Sequence, residues 1–290
     1  MDEWGVLALN GGDALKFLQG QVTCDVQALS PASETIAGRS SLGALCTAQG
    51  RVLAVFRVWR QGGGLFLLAP RERLAAMQKR LSLYVLRADV KFSPVADRRL
   101  FGVAGARAAE VLGLAADLND DEVVAVAGSV FMRVPSVGAP RYLCWVEETG
   151  AVWSDALPSV DAAHWRLEDV RAGLPEVSAA VSEEFIPQML NLDRLGGVSF
   201  QKGCYTGQEI VARTHYLGQS KRRLFRFRAP GPLNPGDALR ALGEEESTGK
   251  VVSCAPDSQG GFELLAVVNL AAAEQATTQW RAGERVLTLA

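Results

Sequence analysis

A chain of 290 residues that is 48% hydrophobic can bury one substantial core, or two or three smaller ones, so it is no disordered tail. Its net charge of −2 and isoelectric point near 5.8 argue against a protein built chiefly to hold nucleic acid, because that affinity scales with the Lys and Arg that neutralise phosphates. Any RNA contact needs a local basic patch.

Five cysteines at 24, 46, 144, 204 and 254 are odd in number and widely spread, with no C-x-x-C pair, which suggests neither a disulfide framework nor a zinc ribbon. With His164 and His215 as the only histidines, no protein-built metal centre is expected. The opening M-D-E-W-G-V-L-A-L-N lacks a basic, cleavable leader, and no stretch approaches eighteen uninterrupted apolar residues. A cytoplasmic protein without membrane attachment is the expectation.

In chain order, Trp4 to Leu9 reads as a strand, and Asp13 is placed to cap a short helix over Ala14 to Leu18. Residues 42–69 hold three apolar runs separated by A-Q-G and Q-G-G-G, an antiparallel meander. The glycines at 62–64 lack dinucleotide-binding spacing and read as a hairpin turn. Leu74, Met77, Leu81, Tyr84 and Val85 then recur at helical spacing across 71–86, one face packing on that sheet. A strand, a helix and further strands cover 100–145.

A helix starts at Ser159 or Asp161 and runs to Ala172, where Gly173-Leu174-Pro175 stops it. At 100° per residue Val160, Ala163, Leu167 and Val170 form its core stripe. Trp165 lies about 200° from Ala163, on the face of Asp161, Glu168 and Asp169. A large aromatic there is a domain contact, a ligand surface or simply an exposed side chain.

After Gly218 the texture changes to alternating residues, a P-G-P-L-N-P-G turn cluster and short runs at 238–242, 249–254, 262–270 and 284–289. Strands that feed single helices without strict alternation predict an α+β fold with mainly antiparallel sheets over 1–222, and a small β-barrel over 223–290. From Ile210 to Arg228 there is no acidic residue, while Arg213, Lys221, Arg222, Arg223, Arg226 and Arg228 are cationic. Such a run is commonly a solvated strand face, and it also suits the anionic tail of a small ligand, an acidic partner or RNA phosphate. Phe225 and Phe227 alternate with the arginines and are expected to point inward.

The run S-F-Q-K-G-C-Y-T-G-Q-E-I-V-A-R at 199–213 carries the most functional information. Thr206 and Glu209 have capping-box spacing, which would put Cys204 at a helix entrance beside Lys202, where free N–H groups and the helix dipole favour a thiolate. The alternative is a capped helix after a glycine turn, with Cys204 a small buried hydrophobe.

The octapeptide K-G-C-Y-T-G-Q-E at 202–209 resembles the signature of the YgfZ-type folate-binding proteins, relatives of the glycine cleavage T-protein (aminomethyltransferase). E-F-I-P-Q at 184–188, L-G-G-V-S-F at 195–200 and G-Q-V-T-C-D-V at 20–26 resemble segments of the same family in the same order. The resemblance implies two α+β subdomains and a barrel in a ring around a folate cavity. It implies a cytosolic protein that binds tetrahydrofolate and supports assembly or repair of iron-sulfur enzymes, tRNA-thiolating ones included, with Cys204 as the functional thiol. Trp4 and Trp165 match the family's folate tryptophans, and Gln188 and Glu184 are candidates for holding the pteridine.

Two alternatives stay open. One is a folate-dependent aminomethyl transferase, although the T-protein has an aspartate where this chain has Cys204 and an arginine where it has Gln208. The other is a tRNA-binding module, supported by the basic stretch alone.

Overall fold

The computed structural model describes residues 1–33, 37–114, 117–147, 157–241, 246–275 and 279–290. The chain divides into two compact units. Met1–Leu45, Phe56–Val160 and Gly196–Tyr205 form the first; Cys46–Val55, Asp161–Leu195 and Thr206–Ala290 form the second.

Two five-stranded sheets, but for Cys46 of the third strand and Val52–Val55 of the fourth, lie in the first unit. In one, β1 (Trp4–Asn10) is central, between β5 (Gly64–Pro70) and β6 (Lys91–Val95), with β4 (Val52–Gln61) and β3 (Ser41–Cys46) beyond β5. Val6 to Leu9 are buried on both faces, which is why this strand reads as continuously apolar. Gln61 pairs with Gly64, so Gly62 and Gly63, at φ 56° and 82°, form the two-residue turn whose twist matches a hairpin. The other sheet runs in the order β2 (Gly38–Arg39), β8 (Glu122–Val126), β9 (Ser129–Val134), β10 (Arg141–Glu147), β7 (Arg98–Ala104). Trp59, Phe66 and Trp145 meet with ring centroids 5.2–5.4 Å apart, and the buried Arg57 binds Asp121 and the Ser40 hydroxyl. Short helices α1 (Ala14–Gln19) and α3 (Ala108–Val111) complete this unit together with α2. Asp13 stands at the N-cap of α1, but its carboxylate accepts from the Asp89 N–H instead of capping the helix.

Helix α2 (Arg71–Ser82) packs on β1 and β5 through Leu74, Met77 and Leu81, as its periodicity indicates, yet stops sooner than that periodicity does. Leu83 and Tyr84 are exposed, and Leu86 sits at φ +46°. The cause is tertiary. Asp89 exchanges hydrogen bonds with Gly12 and Asp13 and delivers the chain to β6, whose pairing with β1 requires the helix to end.

In the second unit, β11 (Arg222–Ala229), β14 (Phe262–Asn269), β13 (Gly249–Pro256), β12 (Ala238–Ala241), β15 (Trp280–Ala282) and β16 (Arg285–Leu289) close into a barrel in that order. Leu242, predicted to end β12, lies outside the described residues. Phe227, Leu239, Val251, Leu264 and Trp280 fill the barrel with Phe225 packed against them, so both phenylalanines of the alternating run point inward. Helix α4 (Ala162–Arg171) lies on β13 and β14, capped by Asp161, whose carboxylate accepts from Ala163 N at 2.7 Å. Leu167 and Val170 are buried as expected, whereas Val160 precedes the helix and is exposed. Arg171 donates to the buried carboxylate of Glu263 at 3.0 and 2.9 Å, and Arg226 approaches its other oxygen at 3.7 Å. Helices α5 (Gln208–Tyr216) and α6 (Leu270–Ala273) complete the unit.

The fold is therefore α+β, with antiparallel sheets and a closed C-terminal barrel, as the sequence indicates. Among the described residues no helix is long and apolar enough to cross a membrane.

Candidate functional site

In the first unit the motif loop 196–205 is fastened to the segment 22–24. Thr23 is fully buried; its hydroxyl donates to Gly197 O at 2.6 Å and accepts from Ala44 N at 2.9 Å. Ser199 N donates to Thr23 O at 2.9 Å, and the Ser199 hydroxyl accepts from Lys202 N at 3.2 Å. Lys202 turns its side chain inward, where Nζ donates to Val22 O at 2.8 Å and Cys24 O at 2.7 Å and lies 5.2 Å from the Tyr205 ring centre. Two sequence signatures 180 residues apart are thus one hydrogen-bonded object. Thr23 was not singled out by sequence reasoning, although it stands inside G-Q-V-T-C-D-V, because what it binds is remote in the chain.

Lys202 and Cys204 are neighbours in sequence with different surroundings: the ammonium is buried and the thiol is exposed. Cys24, Cys46 and Cys144 are sealed in the interior, where burial pushes the first two thiols up to about 12 and the third higher still, so none of them ionises near neutrality. Cys254 is half-buried, with its thiol also raised by burial. Cys204 is the one cysteine of five that is exposed.

Burial pulls the Lys202 pKa down to about 8, against the opposing pull of Cys24 and Asp25. A neutral amine still has two hydrogens for the two carbonyls. Between about pH 8 and the ordinary lysine value of 10.5 the unfolded chain holds a proton that the folded one has released, so this group makes stability rise with pH across that window. In urea titrations, the stability of the wild type relative to Lys202→Met is therefore expected to grow from pH 8 to pH 10. A difference that stays flat would show the ammonium to be solvated.

In the second unit, α5 begins differently from its capping-box reading. Its N-cap is Gly207, at φ +83°, with no side-chain cap, one residue later than Thr206, so Cys204 stands three residues ahead of the cap rather than two. The cause is the turn Thr47 to Gly50, closed by Gly50 N to Thr47 O at 3.0 Å. Its backbone approaches so closely that a Cβ on Gly207 would lie 2.4 Å from Thr47 O.

Gln188 is buried in a short 3-10 turn, Pro187–Leu190, and its Nε2 donates to Val211 O of α5 at 2.6 Å. Its Oε1 is buried with no hydrogen-bond partner among the described residues. Arg223 holds the same segment, donating to Gln188 O at 3.0 Å and bidentately to Asp193 at 2.7 and 3.0 Å. Glu184 is nearer the surface, its carboxylate taken by Lys250 at 2.8 Å and its carbonyl by Arg51 at 2.8 Å. Trp165 is half-buried on α4, and Trp4 is half-buried at the start of β1 opposite Pro70. Trp4, Lys202 and Cys204 belong to the first unit; Trp165, Glu184 and Gln188 belong to the second.

No protein-family profile matches the chain. It is 34% identical over 281 residues to the tRNA-modifying protein YgfZ of Yersinia pseudotuberculosis serotype O:1b (strain IP 31758), which covers 93% of this chain and 83% of that protein. It is 33% identical over 282 residues to the tRNA-modifying protein YgfZ of Serratia proteamaculans (strain 568), with the same coverage. Among solved structures, the glycine cleavage system aminomethyltransferase T from Bartonella henselae superposes with a TM-score of 0.79 at 18% identity, over 99% of this chain and 82% of that one, a likeness of fold. Identity at this level across nearly the whole chain places the protein in the family of the tRNA-modifying protein YgfZ.

Proposed function

We propose that the chain binds a tetrahydrofolate and supports the assembly or repair of iron-sulfur enzymes, those that thiolate tRNA among them, with Cys204 as the functional thiol. The observation that carries this reading is the contrast among the cysteines. One thiol is exposed on a loop held in place by Thr23 and Lys202, while three others are sealed where they cannot react. Lys202 serves in this reading as a positioning residue, because its ammonium is engaged by two carbonyls.

The residues fit a folate. Gln188 Oε1 is a buried acceptor in need of a donor, a reduced pterin offers several N–H donors, and the amide is oriented by its bond to Val211 O. Bound tetrahydrofolate would supply a carrier for one-carbon units. An indole such as Trp165 or Trp4 offers a flat surface for stacking. The T-protein-like fold is the support for an aminomethyl transfer reading, and against it stand Cys204 and Gln208, where the resemblance to the T-protein implies an aspartate and an arginine.

Titration with tetrahydrofolate, followed by tryptophan fluorescence and by calorimetry, tests the reading. Saturable quenching is expected, weakened about tenfold or more in Trp165→Ala and in Gln188→Leu, the latter by losing one hydrogen bond to a buried partner. A flat titration of the wild type sinks it. Steady turnover of an aminomethyl donor by purified protein would favour the transferase instead.

A further inference from the structure

The end of α5 and the start of β11 carry side chains that the folate reading does not use. Arg213, Tyr216 and Leu217 stand at i, i+3 and i+4 and so share one face of the helix. Tyr216 is 65% exposed and Leu217 83%, and the His215 ring meets Tyr216 edge-on at 4.8 Å. Only Gly218, Gln219 and Ser220 separate this face from Lys221 and Arg222, which keeps their Cα atoms within about 14 and 18 Å of that of Leu217. Arg213, Lys221 and Arg222 are all exposed.

The charges here are unbalanced. The arginines of this stretch that have found carboxylates are others: Arg223 with Asp193 and Arg226 with Glu263. Among the described residues no ion pair engages Arg213, Lys221 or Arg222, and no acidic residue occurs between Ile210 and Arg228. A protein carrying a net charge of −2 therefore gathers three cations outside any described ion pair within ten residues of chain, with one exposed aromatic ring among them.

We propose that this face binds single-stranded RNA, with Arg213, Lys221 and Arg222 taking phosphates and Tyr216 stacking a base. Phosphate neutralisation beside an aromatic platform is the chemistry by which proteins hold unpaired nucleic acid. A protein-binding patch would instead place a desolvated apolar core inside a polar rim, and one leucine beside one tyrosine is too little for that. The inference goes beyond the folate reading and does not depend on it. It brings RNA to this protein itself, in a family whose curated members are named for tRNA modification.

The test is fluorescence anisotropy of the full-length protein with a labelled unmodified tRNA transcript and a labelled anticodon stem-loop, repeated across a potassium chloride series. Three phosphate contacts to a single strand predict a slope of log affinity against log salt of about −2, and each of Arg213→Gln, Lys221→Gln and Arg222→Gln should reduce it by about 0.7. Tyr216→Ala should weaken binding about tenfold at an unchanged slope. The triple glutamine variant should lose RNA while still titrating with tetrahydrofolate, which separates failure of this proposal from failure of the folate reading. Absence of RNA binding at low salt overturns the proposal, as does binding indifferent to the three substitutions or equally tight to a fully paired duplex. If purified protein ignores RNA yet the triple variant fails in cells, the face belongs to an acidic protein partner and the proposal falls.

Discussion

Cys204→Ser is expected to fold as the wild type does, with stability changed by less than about 0.5 kcal/mol, because the replaced atom is exposed and fills no core space. The same variant is expected to lose the cellular activity almost entirely. Serine matches the thiol closely in size but cannot furnish a thiolate, so nucleophilic or metal-directed chemistry at this position disappears while shape is kept. The check pairs two measurements: the unfolding midpoint and tetrahydrofolate titration of purified protein, and iron-sulfur enzyme activity with tRNA thiolation in cells that depend on the variant. Normal thiolation in those cells would reduce Cys204 to a spacer. A collapsed midpoint would mean that the thiol is structural after all.

The second large effect separates the two glycines that flank that cysteine, Gly203 and Gly207. Gly207→Ala should be severely destabilising. A non-glycine residue at φ +83° is strained by about 1–3 kcal/mol, and the new Cβ would sit 2.4 Å from Thr47 O, an atom of backbone that cannot swing aside. Together these predict a loss of about 3 kcal/mol or more, read as a fall in the denaturant midpoint. Gly203 has no positive φ, and nothing lies within 4 Å of where its Cβ would be, so Gly203→Ala should be close to neutral. Equal effects at the two positions would contradict the described packing of the Thr47 turn.

These glycines show where sequence reasoning works and where it stops. Local regularities were readable: the paired glycines of the β4–β5 hairpin, the Asp161 cap, the inward phenylalanines of β11 and the apolar face of α2 all follow from neighbours a few residues apart. What misled was a local rule overruled from a distance. Thr206 and Glu209 have the right spacing for a capping box, but the turn at Thr47, some 160 residues earlier, sets the start of α5 at Gly207. Helical periodicity runs past Ser82, but Asp89 is claimed by the loop at Gly12 and Asp13.

The same holds at the candidate site. Cys204 could be singled out because its motif is compact, and Gln188 because it stands in a recognisable segment. Lys202 could be read only as a neighbour of Cys204, since nothing within ten residues reveals that its ammonium reaches the carbonyls of Val22 and Cys24. Thr23 gives no local sign of its role and Arg223 reads only as one cation of the basic run, because their partners lie 174 and 30 residues away.

The carboxylate of Glu263 has a consequence for how this polypeptide can be cut. It is buried on β14, with its main cation, Arg171, arriving from 92 residues upstream. Severing the last third of the chain as a free-standing piece would take away Arg171 together with helix α4 and leave this carboxylate only the longer approach of Arg226. Helix α4 is in that sense a stave of the barrel, and the two should melt in a single cooperative step.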